Sequence, residues 1–264
     1  MTRYDLIVGM GKACSCSMSL RKAGLQHLSL PFDWMRFNDE ELNGVGDLRI
    51  RAELVANGFR DWFEKENLVF NRSFADKDIY TDGKLHIEFN HEFLRGSALD
   101  EAYPAVRAKH DRRIARLYRL IDAAQSVLLV RIDPPRLVPL PPPRFEVPTT
   151  EEDCRSAREV LRRRFPGKRI DVLLLTFAPG VAYADRDERE VDPGFVRISF
   201  DYKDRRPGVP DWDPDYDLVS GILRDRYAVR DYRTADERRK HDRPRGMRRL
   251  WQALAGICSR KDCT

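Results

Sequence analysis

Apolar residues follow two kinds of pattern along this chain. Short unbroken runs occur at Leu6–Val8, within SVLLVRID (Ser126–Asp133) and within RIDVLLLTFA. Runs of that length without alternation predict parallel strands covered on both faces. Other segments alternate. Leu85, Ile87 and Phe89 interleave with His86, Glu88 and Asn90, and Phe195–Tyr202 does the same, as half-buried strands do. Asp82-Gly83 marks a hairpin between DIYT and KLHIEF. If that second strand runs on, His91 falls on the inward face with Leu85, Ile87 and Phe89.

Helical spacing appears between the strands. Tyr103–Ala123 carries Val106, His110, Ile114, Leu117 and Ile121 on one face, with Pro104 suited to the first helical position. SCSMSLRKA reads as a helix stopped by Gly24. Asn38–Phe63 has an acidic start, glycines at 44 and 46, and a resumed helix over Leu48–Ala56. Thr149-x-x-Glu152 predicts a capping box for a helix to about Arg164, and YDLVSGILRDRYAV gives a last one. The alternation of elements predicts an α/β fold with a mixed, mostly parallel sheet flanked by helices; an α+β, papain-like arrangement is the alternative.

Punctuation sets the domain plan. A Pro-rich stretch over 134–148 reads as a stiff loop inside a single α/β catalytic domain covering 1–228, and 229–264 is a charged basic tail. Trp251, Leu254 and Ile257 suggest a short amphipathic helix within that tail. The 48 basic and 43 acidic residues leave a net charge of only +5, a salt-laced surface that does not call for a nucleic-acid partner. No apolar run is long enough for a membrane span, and no signal-peptide pattern opens the chain. Five cysteines, an odd number, argue against a disulfide framework and fit a reducing, cytoplasmic setting. Cys14-x-Cys16 lacks a second pair with metal-ligand spacing, and no phosphate- or dinucleotide-binding signature is present. Neither a metal nor another cofactor is expected.

The candidate chemistry sits at YDLIVGMGKACSCSMSLR, where a strand, a glycine-rich turn and a helix bring Cys14 to a helix N-terminus. Unpaired N–H groups and the helix dipole favour a thiolate there, and the N–H groups around Ala13 and Ser15 suit an oxyanion. The competing reading is a small buried hydrophobe, and Cys16 is a rival two residues on. Asp33, between Phe32 and Trp34, is either a turn acceptor or a site residue. His91 is either a core histidine or a general base. His27, His110 and His241 have no comparable setting. Arg112, Arg113 and Arg131 are candidates for holding an anionic group.

Four pieces together resemble a bacterial family of unknown function described as papain-like cysteine peptidases: GKACSCSMSLRKAGL, SLPFDW, FNHEF, and KHDRRIARL with VLLVRID. The resemblance covers roughly residues 4–178. It implies Cys14 as nucleophile and His91 as base, with the family's Asp replaced here by Glu92. It leaves the third residue to Asp33, with Asn90, Glu92 and Asp133 as alternatives. The implied activity is hydrolysis of an acyl or peptide substrate through an acyl-enzyme. Alternatives are a Cys-dependent acyltransferase using a phosphate-bearing donor or a glycan, and a non-enzymatic nucleic-acid-binding module.

Overall fold

The unbroken apolar runs become neighbouring strands. The structure is a computed structural model that describes residues 1–12, 14–37, 47–135, 148–209 and 213–241. Strands β2 (Leu6–Gly9), β7 (Ser126–Ile132), β8 (Arg169–Phe177), β10 (Phe195–Phe200) and β9 (Asp187–Asp192) form one sheet in the order β2-β7-β8-β10-β9. The pairs β2–β7, β7–β8 and β8–β10 are parallel, and β9 closes the edge antiparallel. That edge strand is DEREVD, exposed over its first four residues, and its charge disfavours pairing with another chain. A shorter parallel pair joins β1 (Thr2–Tyr4) to β11 (Tyr227–Val229).

Both faces of the five-stranded sheet are covered, which is why its inner strands need no polar alternation. On one face α1 (Cys14–Lys22) and α5 (Tyr216–Arg226) bring Leu20, Val219 and Leu223 onto Ile7, Val130, Leu173 and Ile198. On the other, α2 (Asp47–Ala56), α3 (Leu99–Ala123) and α4 (Glu151–Arg164) set Val55, Leu117 and Leu161 against Val8 and Leu129. Helix α1 ends as its glycine predicts. Gly24 has φ +74, Leu25 N–H donates to Leu20 O at 2.9 Å, and both leucines are buried, a Schellman ending. The box at α4 is one residue later than expected: Thr150 and Asp153 cap each other's backbone N–H, while Thr149 turns inward.

A second sheet is antiparallel throughout, in the order β3-β6-β5-β4, built from β3 (Arg36–Phe37), β4 (Leu68–Phe74), β5 (Lys77–Asp82) and β6 (Ile87–Leu94). His91 therefore arrives from a strand outside the sheet that leads to Cys14. The turn at Asp82-Gly83 runs to His86, with Asp82 Oδ1 accepting from the N–H groups of Lys84 and Leu85. Strict alternation does not survive along β6. Tyr80 pairs with Phe89 but Asp78 pairs with Phe93, so β6 carries extra residues at 90–92. As a result Glu92 and Phe93 are buried and His91 is exposed, opposite to the inward-facing expectation.

Helix α3 begins at Leu99, so Pro104 lies inside it rather than at its first position. His110 is fully buried. Its Nδ1 accepts from Trp62 Nε1 at 3.3 Å, and its Nε2 lies 3.4 Å from Glu92 Oε1. Arg113 donates to Glu92 at 3.1 Å, and Lys109 also pairs with it. Thus His110 has a built setting that its sequence neighbours did not announce, and Arg113 faces inward.

The chain divides into two units, Met1–Arg230 and Asp231–Thr264. The second contributes α6 (Ala235–His241) to the described residues. Ala13, Asn38–Gly46, most of the Pro-rich stretch, and Trp251, Leu254, Ile257, Cys258 and Cys263 lie outside the described residues. Among the described residues no helix is long and apolar enough to cross a membrane, and no group of three or more His, Cys, Asp or Glu side chains could hold a metal ion.

Burial alone would raise the Glu92 pKa, but the hydrogen bond and charge of His110, with Lys109 and Arg113, hold it down to about 2. Desolvation lowers the His110 pKa. Both groups bind protons more readily when unfolded. The sign is therefore the same for each: their stability is present above their unfolded pKa values and is lost on acidification, below about 6.5 for His110 and about 4.3 for Glu92. Glu92→Gln leaves the buried Arg113 guanidinium without its carboxylate, so it should destabilise by about 3 kcal/mol at pH 7. The deficit should shrink as the pH falls from about 4.3 towards about 2, as measured by urea unfolding.

Candidate active site

The turn that carries the cysteine is an extension of β2. Past Gly9, Met10 N–H donates to Val130 O at 2.8 Å, Lys12 N–H to Ile132 O at 3.0 Å, and Ile132 N–H returns a bond to Gly11 O at 2.9 Å. Gly11, at φ +88, takes a conformation that a side chain resists. Cys14 then opens α1, where the first N–H groups have no intrahelical acceptor.

Three cysteines lie among the described residues, and only Cys14 is half-buried; Cys16 and Cys154 are buried. Cys16 Sγ lies 3.3 Å from Val130 O, and burial pushes its thiol up to about 12. Burial pushes the Cys154 thiol well above the ordinary range. Cys14 is also raised, first by desolvation and then by the carboxylate of Asp213, while the N–H groups of Cys14 and Ser15 work in the opposite direction. A helix N-terminus was expected to lower this pKa. The N–H groups at the helix start act in the direction that expectation requires, but burial outweighs them. The resting protein holds a thiol at neutral pH.

At 100° per residue, Cys14 has Ser17 and Arg21 on one flank of the helix face and Met18 and Lys22 on the other. On the first flank Ser17 Oγ lies 3.0 Å from Cys14 O and 3.1 Å from Asp33 O. Asp33 Oδ2 accepts from Arg21 (3.0 Å), Gln26 (2.7 Å) and Leu30 N–H (3.0 Å). The carboxylate is buried as expected, and desolvation raises its pKa. Its partners, however, lie in its own loop and on α1, and His91 is not among them. The link to His91 runs through the next residue: Trp34 lies edge-on to the His91 ring at 5.5 Å, and Arg21 lies over Trp34 at 5.8 Å.

On the second flank stand two residues that sequence reasoning missed. Tyr216 Oη donates to Asp213 Oδ1 at 3.0 Å and lies 3.7 Å from Met18 Sδ. Lys22 pairs with Asp217 at 2.7 Å. The run DPDYD was legible only as a helix start, which it also is, with Asp215 as the cap of α5. That it folds back beside Cys14 depends on how α1 and α5 pack together.

His91 is exposed, and desolvation of its ring lowers its pKa. It is neutral at pH 7 and able to accept a proton. The groups acting on it include Glu92, Lys77, Asp76 and Lys109, whereas those acting on Cys14 are Asp213 and the local N–H groups. Cys14 opens α1 beyond the parallel sheet, whereas His91 stands on a strand of the antiparallel one, and among the described residues no hydrogen bond joins them. Of the other orienting candidates, Asn90 Oδ1 is buried without a partner. Glu92 is turned to His110, and Asp133 accepts from Thr149 and Arg131.

The three arginines do not form an anion site. Arg131 is fully buried on Asp47, Asp133 and Thr149, and Arg113 is held by Glu92. Arg112 alone is exposed.

The family whose model matches residues 5–136, half of the chain, is described as "Putative papain-like cysteine peptidase". A similar curated protein is an uncharacterized protein of Acanthamoeba polyphaga mimivirus, 24% identical over 148 residues. That alignment takes in 50% of this chain and 63% of the viral protein, so this chain spans under two thirds of its relative's length. No solved structure matches. The bacterial origin implied by the resemblance is not carried by these findings.

The thiol assignment has a direct consequence. With its pKa raised, Cys14 should label with iodoacetamide at a rate that keeps climbing above the usual thiol midpoint of about 8.5. It should still label before Cys16 and Cys154 at every pH below global unfolding. Site-resolved mass spectrometry reads both the order and the profile.

Proposed function

The chain belongs to this family of papain-like cysteine peptidases, and from that premise we propose that it hydrolyses an acyl substrate through a thioester on Cys14, with His91 as the base. The observation that carries the reading is the seat of Cys14. A half-buried thiol heads a helix at the end of a parallel strand, where the backbone N–H groups of Cys14 and Ser15 favour its thiolate.

In the proposed reaction His91 must first close on Cys14, to which no hydrogen bond joins it at rest; it then takes the thiol proton, and Sγ attacks the substrate carbonyl carbon. The carbonyl electron pair moves to oxygen, which the N–H of Ser15 and its neighbours at the helix start stabilise. Collapse of this adduct breaks the bond to the leaving group, which receives the proton from imidazolium. Water then loses a proton to His91 and attacks the thioester. The acid leaves and the thiol is restored.

A raised thiol pKa makes a base necessary, and His91 is neutral when needed. Its support comes through Trp34, because the preceding Asp33 carbonyl is held by Ser17, one turn along α1 from Cys14. Asp33 acts here as a positioning residue. By fixing its loop to Arg21 and Gln26 it fixes the ledge on which His91 rests. Hydrolysis is the reading adopted over transfer from a phosphate-bearing donor, because Arg113 and Arg131 are held by internal carboxylates.

An activated acyl ester tests the proposal. Mixing with p-nitrophenyl acetate should release a burst of one nitrophenolate per chain, absent in Cys14→Ala. His91→Ala should slow the burst by roughly 100-fold or more without changing its final amplitude. A full-rate burst in both variants would place the chemistry elsewhere.

A further inference from the structure

Two guanidinium groups lie buried beneath the turn that leads to Cys14. Arg51 and Arg131 are 0% and 1% exposed, and both bind the buried carboxylate of Asp47. Each also reaches a backbone carbonyl of the turn. Arg51 Nη2 donates to Lys12 O at 3.0 Å, and Arg131 Nη1 donates to Met10 O at 2.9 Å. The residue between those carbonyls sits directly on the pair. A Cβ on Gly11 would lie 2.8 Å from Arg51 Cζ and 3.1 Å from Arg131 Nη1. The far side is braced as well, since Arg131 Nε donates to Thr149 Oγ1 at 2.8 Å and to Asp133 Oδ1 at 3.2 Å.

We propose that Asp47, Arg51 and Arg131 are positioning residues for the nucleophile, holding the Met10–Lys12 turn so that its carbonyls face the interior and Cys14 enters the helix in register with its own N–H groups. This inference rests on Cys14 being the nucleophile.

Energetics favour a positional role. Two buried guanidiniums sharing one carboxylate are costly to desolvate and repel each other, and apolar residues of similar volume generally stabilise a core as well or better. What an apolar core cannot do is fix the direction of two particular carbonyls. A forked guanidinium can, because its donors diverge at set angles. Arg51 uses one arm on Asp47 and another on Lys12 O. The direction matters because each carbonyl carries a negative dipole end. Turned towards Sγ, either would oppose the thiolate and the later oxyanion; turned inward, each leaves the positive helix start facing the reaction.

Arg51→Lys separates this role from simple charge balance. Lysine keeps a cation for Asp47 but cannot span the carboxylate and the Lys12 carbonyl together. The readout is the pH–rate profile of Cys14 carbamidomethylation in the full chain, with Cys16 and Cys154 as internal reporters of folding. We expect Cys16 and Cys154 to stay protected and the Cys14 profile to move to higher pH, giving labelling roughly tenfold slower at pH 7, as a one-unit rise in thiol pKa produces. A superimposable profile overturns the positioning role while leaving the nucleophile intact. If wild-type Cys14 labels no faster than Cys16, the nucleophile reading falls and this one with it. Should Arg51→Lys expose the reporters, Thr149→Val is read the same way. It removes the hydroxyl that accepts from Arg131 Nε and donates to Asp133 Oδ1, leaving both Asp47 and the Arg51 fork in place, and an unmoved profile there overturns the proposal.

Discussion

The pairing of β2 with β7 continues beyond the last residue of the strand. Met10 and Lys12 donate to Val130 and Ile132, and Ile132 donates to Gly11. This continuation sets where α1 begins. Leu20 and Cys16 then press the helix onto the sheet, and the Schellman ending at Gly24 brings the chain back along it. The loop that returns carries Asp33, which Arg21 ties to the same helix. The first turn of α1 is therefore held from below by the sheet and from the side by its own downstream loop.

Two buried carboxylates each gather basic groups around themselves. Around Glu92 the carboxylate is satisfied by three basic groups, and the aromatic rings of Trp62, Phe63 and Phe89 close over His110. That cluster joins β6 to α3 and so sets the strand from which His91 projects. Beneath the nucleophile turn, Asp47 plays the corresponding part for Arg51 and Arg131. Cys14 lies outside both clusters and has an acidic neighbour in Asp213. Burial and that carboxylate both hold its thiol pKa up, so under the proposed reaction a base must take the proton before attack.

Local pattern was informative where local physics decides the outcome. The apolar runs, the Gly24 stop and the strand–turn–helix around Cys14 depend on near neighbours, and all were legible. The α/β class followed from them. Long-range partners were not legible. Alternation placed His91 inward because period two carries no sign of the extra residues at 90–92. Arg113 and Arg131 read as candidates for an external anion because the sequence does not show the distant carboxylates that already hold them, Glu92 and Asp47. His110 was passed over for the same reason, since Trp62 and Glu92 meet it only in the folded chain. Asp213 and Tyr216 reach the site through helix packing across some 200 residues of sequence.

The account stands on Cys14 as a nucleophile that accepts an acyl-like electrophile in a shaped site. An epoxysuccinyl peptide tests this most directly, because its ring opens only if a thiolate attacks carbon and a proton donor, here the imidazolium of His91, protonates the departing oxygen; intact mass followed by peptide mapping reads the result. The account predicts a single adduct on Cys14, formed at pH 7 and lost in Cys14→Ser. Adduct on Cys16 or Cys154, or none on Cys14 in folded protein that iodoacetamide can still label there, would contradict it.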